Sequence, residues 1–348
     1  MFDAMQKWEQ HIPEQIDEIF DSGKVNCIQG NMDHEDFGLN PRDIELLRRE
    51  VTVVVHAAAN ISLAQSLMES IESDTMPVLR LAKIAESFSN LDRFVHISST
   101  FAQMHLPSGI VKEALAKVEK DEPPPQEQLS SILATGSSPY TCRFITPYGH
   151  GKYLAERLLL EYQSKFPVLI IRPSAISPAL QEPYPLYGPD AAIPLHTLLA
   201  ITIYRGFDFW EAIDVLPHDY IFDEIPVDIV GNVSLLHMAS GTTGIVHAAA
   251  QLHVPLTVRD YAQRGRKYIS KEAVERLGAR GRLDSKPRQL PLEFHRLLTE
   301  SWRDWTFDCE RSRHLLQTTG PIGLNIPHDF EALLQKRSAR LSKTLVGV

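Results

Sequence analysis

The sequence predicts an α/β protein built on a doubly wound parallel sheet that lacks its first strands, followed by a smaller lobe and a helical carboxyl-terminal tail. Three observations carry this. Residues 51–59, VTVVVHAAA, form a continuous apolar, β-branched run of the kind buried on both faces of a parallel sheet. Strand-length apolar runs alternate with segments of helical periodicity, which is the pattern of successive βα units. None of the 18 glycines forms a G-x-G-x-x-G or G-x-x-G-x-x-G turn, although such a sheet ordinarily carries one after its first strand.

The elements follow in order. Residues 4–21 carry Trp8, Ile12, Ile16 and Ile19 at roughly helical spacing, and residues 25–29 form a short strand candidate. Asn40 before Pro41 is a helix start ahead of Ile44, Leu46 and Leu47. The strand at 51–59 leads into a long helix over 66–88, and the strand at 93–98 ends in Ser98, Ser99 and Thr100. Residues 108–139 turn to Pro, Glu, Ser and Gly, with Pro123, Pro124 and Pro125 in succession, and predict a loop or lid. Thr146 and Pro147 are an N-cap and first residue for a helix to about 165, and 166–172 is a buried strand. Beyond Pro173 come an irregular QEPYPLYGP stretch, a helical segment and a strand at 244–248. The expected units are an incomplete catalytic domain over 1–175, a substrate lobe with returning sheet elements over 176–263, a linker over 264–290 and a helical region over 291–348.

Composition narrows the function. A net charge of -9 argues against a nucleic-acid partner, which needs clustered Lys and Arg. Cys27, Cys142 and Cys309 are odd in number and far apart, offering neither a disulfide framework nor metal-ligand spacing. They predict a reducing, cytoplasmic setting and no metal. The start MFDAMQKWEQ has no signal-peptide pattern. The most apolar stretch, 191–204, is broken by Pro194 and His196 and falls short of the ~18 residues of a spanning helix, so a buried core helix is expected.

The chemistry centres on Tyr148 and Lys152, four residues apart and so on one face of the predicted helix. Such a pair alone is weak evidence. A phenol titrates near ~10, and an ammonium at ~4 Å could lower that by as much as ~3 units, making Tyr148 a usable proton donor to a carbonyl oxygen. Ser98, Ser99 and Thr100 stand at the carboxyl end of a strand, where open α/β sheets place ligands, and a hydroxyl there could bond the same oxygen. His56 and His150 are expected to pack rather than catalyse, and Glu156 to be an ion-pair partner.

The stretches FVHISSTFA (94–102), TPYGHGKYLAERLL (146–159) and IIRPSAISPALQEPYP (170–185), with VVVHAAANISL (53–63), EIPVDIVGNV (224–233) and WTFDCERSRHLL (305–316), resemble the fatty acyl-CoA reductases, with their male-sterility-type NAD-binding domain. These are a branch of the extended short-chain dehydrogenases with Rossmann-like sheets. The resemblance covers most of 25–260. It implies that Tyr148 is the general acid, that Lys152 holds the nicotinamide ribose and tunes Tyr148, and that Ser99 polarises the carbonyl, with Thr100 one residue away as the alternative. It further implies that Ala57, Ala58 and Ala59 line the cofactor, that Pro173 and Ser174 lie beside the nicotinamide, and that Asp33 is near the adenine.

Two departures stand out. Asp74 and Pro77 replace the asparagine and glycine of the family's Asn-Val-x-Gly-Thr turn, and the glycine-rich loop is missing, which puts NADPH binding in doubt. The chain is expected to begin just before the third strand, leaving either an exposed sheet edge or direct pairing of 25–29 with 51–55. The expected function is NADPH-dependent reduction of an acyl thioester, fatty acyl-CoA or related, to an aldehyde or primary alcohol. The alternatives are a non-redox acid–base enzyme on the same scaffold, a cyclase or isomerase, and an inactive truncated homologue.

Overall fold

A computed structural model describes residues 8–188, 196, 221–276, 304–327 and 329–346. The described strands are β1 (Val53–His56), β2 (Arg93–Ile97), β3 (Gly109–Val111), β4 (Val168–Pro173), β5 (Ala175–Ser177), β6 (Glu224–Pro226), β7 (Gly244–Ala248) and β8 (Trp305–Phe307). The principal helices are α1 (Pro13–Asp21), α2 (Pro41–Glu50), α3 (Leu67–Ser70), α4 (Met76–Ala85), α5 (Pro125–Thr135), α6 (Pro147–Leu160), α7 (Val227–Ala239), α8 (Val258–Tyr268) and α9 (Phe330–Val346).

The central sheet is parallel, in the order β1-β2-β4-β7, with Val54 opposite Phe94, His56 opposite His96, and Ile171 opposite Val246. Period-two alternation divides the strands between two cores. Val54, Phe94, Val168, Ile170 and Ile245 pack on Val78, Ala82, Ala85 and Leu159 of α4 and α6. Val95, Leu169, Ile171 and Val246 pack on Ile229, Val230, Val233 and Leu236 of α7 on the opposite face. Helices therefore cover both faces, as the doubly wound reading requires.

Several expectations need correction. Residues 25–29 form no strand, and Val25 and Ile28 are exposed. A strand needs a ladder partner, and β1 bonds only to β2 among the described residues. β1 is thus an edge strand rather than one buried on both faces, with Val53 and Val55 41% and 51% exposed.

The loop expected over 108–139 is partly ordered structure. β3 pairs in parallel with β8, and α5 buries Leu129 and Ile132 against Ile71, Leu154 and Leu158. The prolines begin α5 rather than breaking it: Pro125 occupies its first turn, where a missing N–H costs nothing. The long helix expected over 66–88 opens with a capping box of Ser66 and Glu69 but divides at a π-helical turn, Ile71–Thr75, before α4. The linker expected over 264–290 begins inside α8, and the helix of residues 271–276 follows. Residues 277–303 and, except for His196, the apolar stretch 191–204 lie outside the described residues.

The tail helix α9 is pinned to the lobe by a buried pair, Arg337 to Glu224 of β6 at 2.6 Å, and by Tyr268 of α8 donating to Glu331 at 2.6 Å. Among the described residues no helix is long and apolar enough to cross a membrane.

Candidate active site

The site is assembled where α6 begins, beside the carboxyl ends of β1 and β2. Thr146 caps the helix by accepting from the Gly149 N–H at 3.2 Å, and Pro147 occupies its first turn. The two glycines of Tyr148-Gly-His-Gly-Lys152 let this turn sit close to its neighbours. A Cβ at Gly149 would lie 2.7 Å from the Phe101 carbonyl, and one at Gly151 would meet the Ser70 hydroxyl. The Thr75 hydroxyl donates to the Gly151 carbonyl at 2.9 Å, tying α6 to the π-turn.

This packing buries Tyr148 and Lys152, to 8% and 1% exposure. Ser99 caps the 3-10 turn Thr100–Gln103, accepting from the Phe101 N–H at 3.2 Å, and its hydroxyl lies close enough to Tyr148 to favour the phenolate. The Phe101 ring meets that of Tyr148 edge-on at 6.0 Å. Tyr148, Lys152 and Ser99 are thus brought together. Thr100 is buried inside the turn, and Ser98 faces away, donating to Glu156 at 2.6 Å. Glu156 is an ion-pair partner, though not of a residue on its own helix: it grips Arg172 of β4 at 2.8 and 2.5 Å, with neither side chain exposed.

The electrostatics reverse one expectation. Burial, with the Asp74 charge adding to it, pushes the Tyr148 phenol well above its ordinary value, and only the Ser99 hydroxyl pulls the other way. The expected lowering by Lys152 does not occur. Lys152 itself lies below the usual lysine range because burial outweighs the pull of Asp74 and Glu156. Its ammonium is 3.7 Å from Asp74 and 5.6 Å from the centre of the Tyr148 ring, and it makes no hydrogen bond among the described residues.

Asp74 is the functional candidate that the sequence reading set aside as a departure; the signal was its unusual residue type in an otherwise matching segment. His56 and His96 lie beside Lys152 on the same face, rings 5.3 Å apart. Burial and the Lys152 charge hold His56 near 4 and His96 well below the usual range.

The remaining sequence-derived candidates are more dispersed. Ala57, Ala58 and Ala59 follow β1 and are exposed. Pro173 and Ser174 are buried at the end of β4, where the Ser174 N–H donates to the Ala248 carbonyl at 2.9 Å. Asp33 lines an open groove of about 430 Å³ with Asn60, Ser62, Gln65, Glu69 and Glu72. That groove reaches the Lys152 ion pair through Gln65, which donates to Asp74 at 3.1 Å. Among the described residues no group of three or more His, Cys, Asp or Glu side chains could hold a metal ion.

Residues 3–234 match the family described as male sterility protein. The chain belongs to this family. A Drosophila melanogaster protein named as a fatty acyl-CoA reductase is 32% identical over 219 residues, which are 60% of this chain and 40% of that protein. Fatty acyl-CoA reductase 2 of Mus musculus is 25% identical over 221 residues, covering 61% and 41% of the two chains. This male sterility family chain therefore spans about two fifths of these relatives' length. Among solved structures, the terminal R domain of the myxalamid biosynthetic pathway superposes with a TM-score of 0.63 at 16% identity, over 94% of this chain and 77% of that one. A thiolation-reductase di-domain from an archaeal non-ribosomal peptide synthetase gives 0.54 at 15% identity, over 91% and 73%. These likenesses establish the shared Rossmann-like fold.

Proposed function

We propose that this chain carries the reducing centre of an acyl-thioester reductase that uses NADPH. The observation that supports it best is the Lys152 ammonium, buried beside Tyr148 with its N–H donors unspent and so available to the hydroxyls of a ribose. In this reading Lys152 would hold the ribose, and Ala57, Ala58, Ala59, Pro173 and Ser174 are the residues proposed to line the nicotinamide end of the cofactor. The groove beside Asp33 is ill suited to the pyrophosphate end: its described lining carries the carboxylates of Asp33, Glu69 and Glu72 and no Lys or Arg.

When bound, the nicotinamide supplies a hydride to the thioester carbon. The protein's part is to hold the carbonyl oxygen between the Ser99 and Tyr148 hydroxyls as negative charge grows on it. A phenol that keeps its proton, as Tyr148 does, is suited to giving it up only to that developing oxyanion. The resulting hemithioacetal expels the thiol to leave an aldehyde, and a second reduction would give the alcohol.

The decisive experiment follows NADPH oxidation by near-ultraviolet absorbance with a long-chain acyl-CoA, with product identified by mass. Thioester-dependent oxidation that Tyr148→Phe lowers by at least about 10²-fold is expected. The poor pyrophosphate surface favours a second reading, acid–base chemistry without hydride transfer. Turnover of a carbonyl substrate with no deuterium incorporated from labelled cofactor would select it.

A further inference from the structure

We propose that Asp74 is the positioning residue of this site: carried on a π-helical turn, its carboxylate fixes the Lys152 ammonium beneath the Tyr148 ring. The inference rests on the reading of Tyr148 and Lys152 as the working pair.

The backbone comes first. Pro77 has no N–H and its ring crowds the carbonyl four residues earlier, so a regular helix cannot run through it unchanged. The chain widens into the π-turn Ile71–Thr75, closed by the Met76 N–H donating to the Ile71 carbonyl, before α4 resumes. Turns of this kind interrupt helices frequently at functional sites. Asp74 sits on this one, fully buried, and α6 packs directly against it because Gly151 carries no side chain toward Ser70.

The surroundings of Asp74 then specify its chemistry. Its carboxylate accepts from the Asn60 N–H at 3.0 Å, from Gln65 Nε2 at 3.1 Å and from Ser73 Oγ at 3.2 Å, and faces Lys152 Nζ at 3.7 Å. Four donors converge on it. An asparagine could keep these hydrogen bonds by turning its NH₂ toward the Ser73 hydroxyl or a flipped Gln65 amide, so what the carboxylate alone supplies is the negative charge facing Lys152.

Among the described residues, the charged and titratable neighbours of Lys152 are few. Glu156, on the same helix, is committed to Arg172; His56 of β1 and His96 of β2 are held neutral by burial and by Lys152; Tyr148 stays protonated. Among the described residues Asp74 is the larger of the two negative charges acting on Lys152, and it supports the ammonium and the phenol in the same direction.

The test needs no substrate. The protein is labelled with carbon-13 lysine, the Lys152 Cε resonance is assigned by its loss in Lys152→Met, and its shift is followed against pH. In Asp74→Asn the titration midpoint should fall by about one unit or more, tenfold in proton affinity. Asp74→Ser, small enough to admit water, should do the same, whereas Asp74→Glu, which keeps the charge, should restore most of the wild-type midpoint. A midpoint unchanged in both Asp74→Asn and Asp74→Ser overturns the proposal, as does a fall in Asp74→Glu as large as theirs. A fall in Asp74→Asn and Asp74→Ser, with wild-type protein showing no thioester reduction, would support the positioning role and count against the proposed reaction alone. Where reduction is measured, the alkaline limb of its pH profile should move down with the Lys152 midpoint.

Discussion

Tyr148 and Lys152 share one face of α6 but answer to different forces. The phenol is governed by burial, which keeps its proton on, and the ammonium by the balance between burial and Asp74. Tyr148→Phe removes a single oxygen from a packed site and should leave the melting temperature within a few degrees, while lowering turnover by about 10² to 10⁴, the usual worth of a general acid. Steady-state rates and thermal melts on the same samples check this. Ser99→Ala should cost about 10² to 10³ in rate, as expected for a lost oxyanion donor. Thr100→Ala should cost far less, because Thr100 is enclosed in the 3-10 turn. A larger loss at Thr100 would move the donor by one residue. The cluster Ser98, Ser99 and Thr100 was legible from its place at a strand end, whereas the choice of Ser99 among them rested on the family resemblance alone. The charge state of Tyr148 was not, because burial depends on the whole fold whereas spacing depends only on the helix.

Elements with their own punctuation could be read directly. Asn40-Pro41 and Thr146-Pro147 begin α2 and α6 as expected, with side-chain caps onto the following N–H groups, and β7 occupies the expected residues 244–248. Failures came where a partner decides the outcome. Residues 25–29 have a strand's composition and no ladder to join, and the prolines at 123–125 resemble a loop until Pro125 is seen to start α5. The π-turn escaped for the same reason: Pro77 marks a disturbance, but only the approach of α6 shows what Asp74 faces. That approach can be tested. Gly151→Ala places a methyl against Ser70 Oγ, with Ser70 Cβ at 3.2 Å and its carbonyl at 3.4 Å, and should destabilise the fold by about 1–3 kcal/mol, the range for overpacking. Adding Ser70→Gly should recover part of the loss. Denaturant midpoints across the double-mutant cycle measure the recovery; strict additivity would mean the two elements do not touch as described.

At the scale of the whole molecule, the buried histidines among the described residues weaken the fold in acid. Burial holds His56, His150, His237 and His253 near 4 and His247 near 3, far below the 6.5 of an unfolded chain. Between these values the unfolded state binds protons that the folded state refuses, so stability falls as pH drops from 6.5 toward 4. Each such histidine costs about 1.4 kcal/mol per pH unit in that window. Urea midpoints should therefore decline steeply from pH 6.5 to 4.5, and the decline should be shallower in His253→Gln, since both ring nitrogens of His253 lack a hydrogen bond among the described residues.

The groove beside Asp33 has a consequence for the rate of encounter. Its mouth carries Asp33, Glu69 and Glu72, the chain as a whole is -9, and the cation deeper in, Lys152, is already paired with Asp74. A polyanionic dinucleotide entering by this groove thus approaches against the local field rather than down it. Stopped-flow association of NADPH should accordingly speed up as salt is raised from about 10 to 150 mM, where the screening length shrinks from about 30 to 8 Å. The usual steered enzyme slows under the same change. Glu69→Gln with Glu72→Gln should flatten the salt dependence, and a rate that falls with salt would mean the dinucleotide enters by another face.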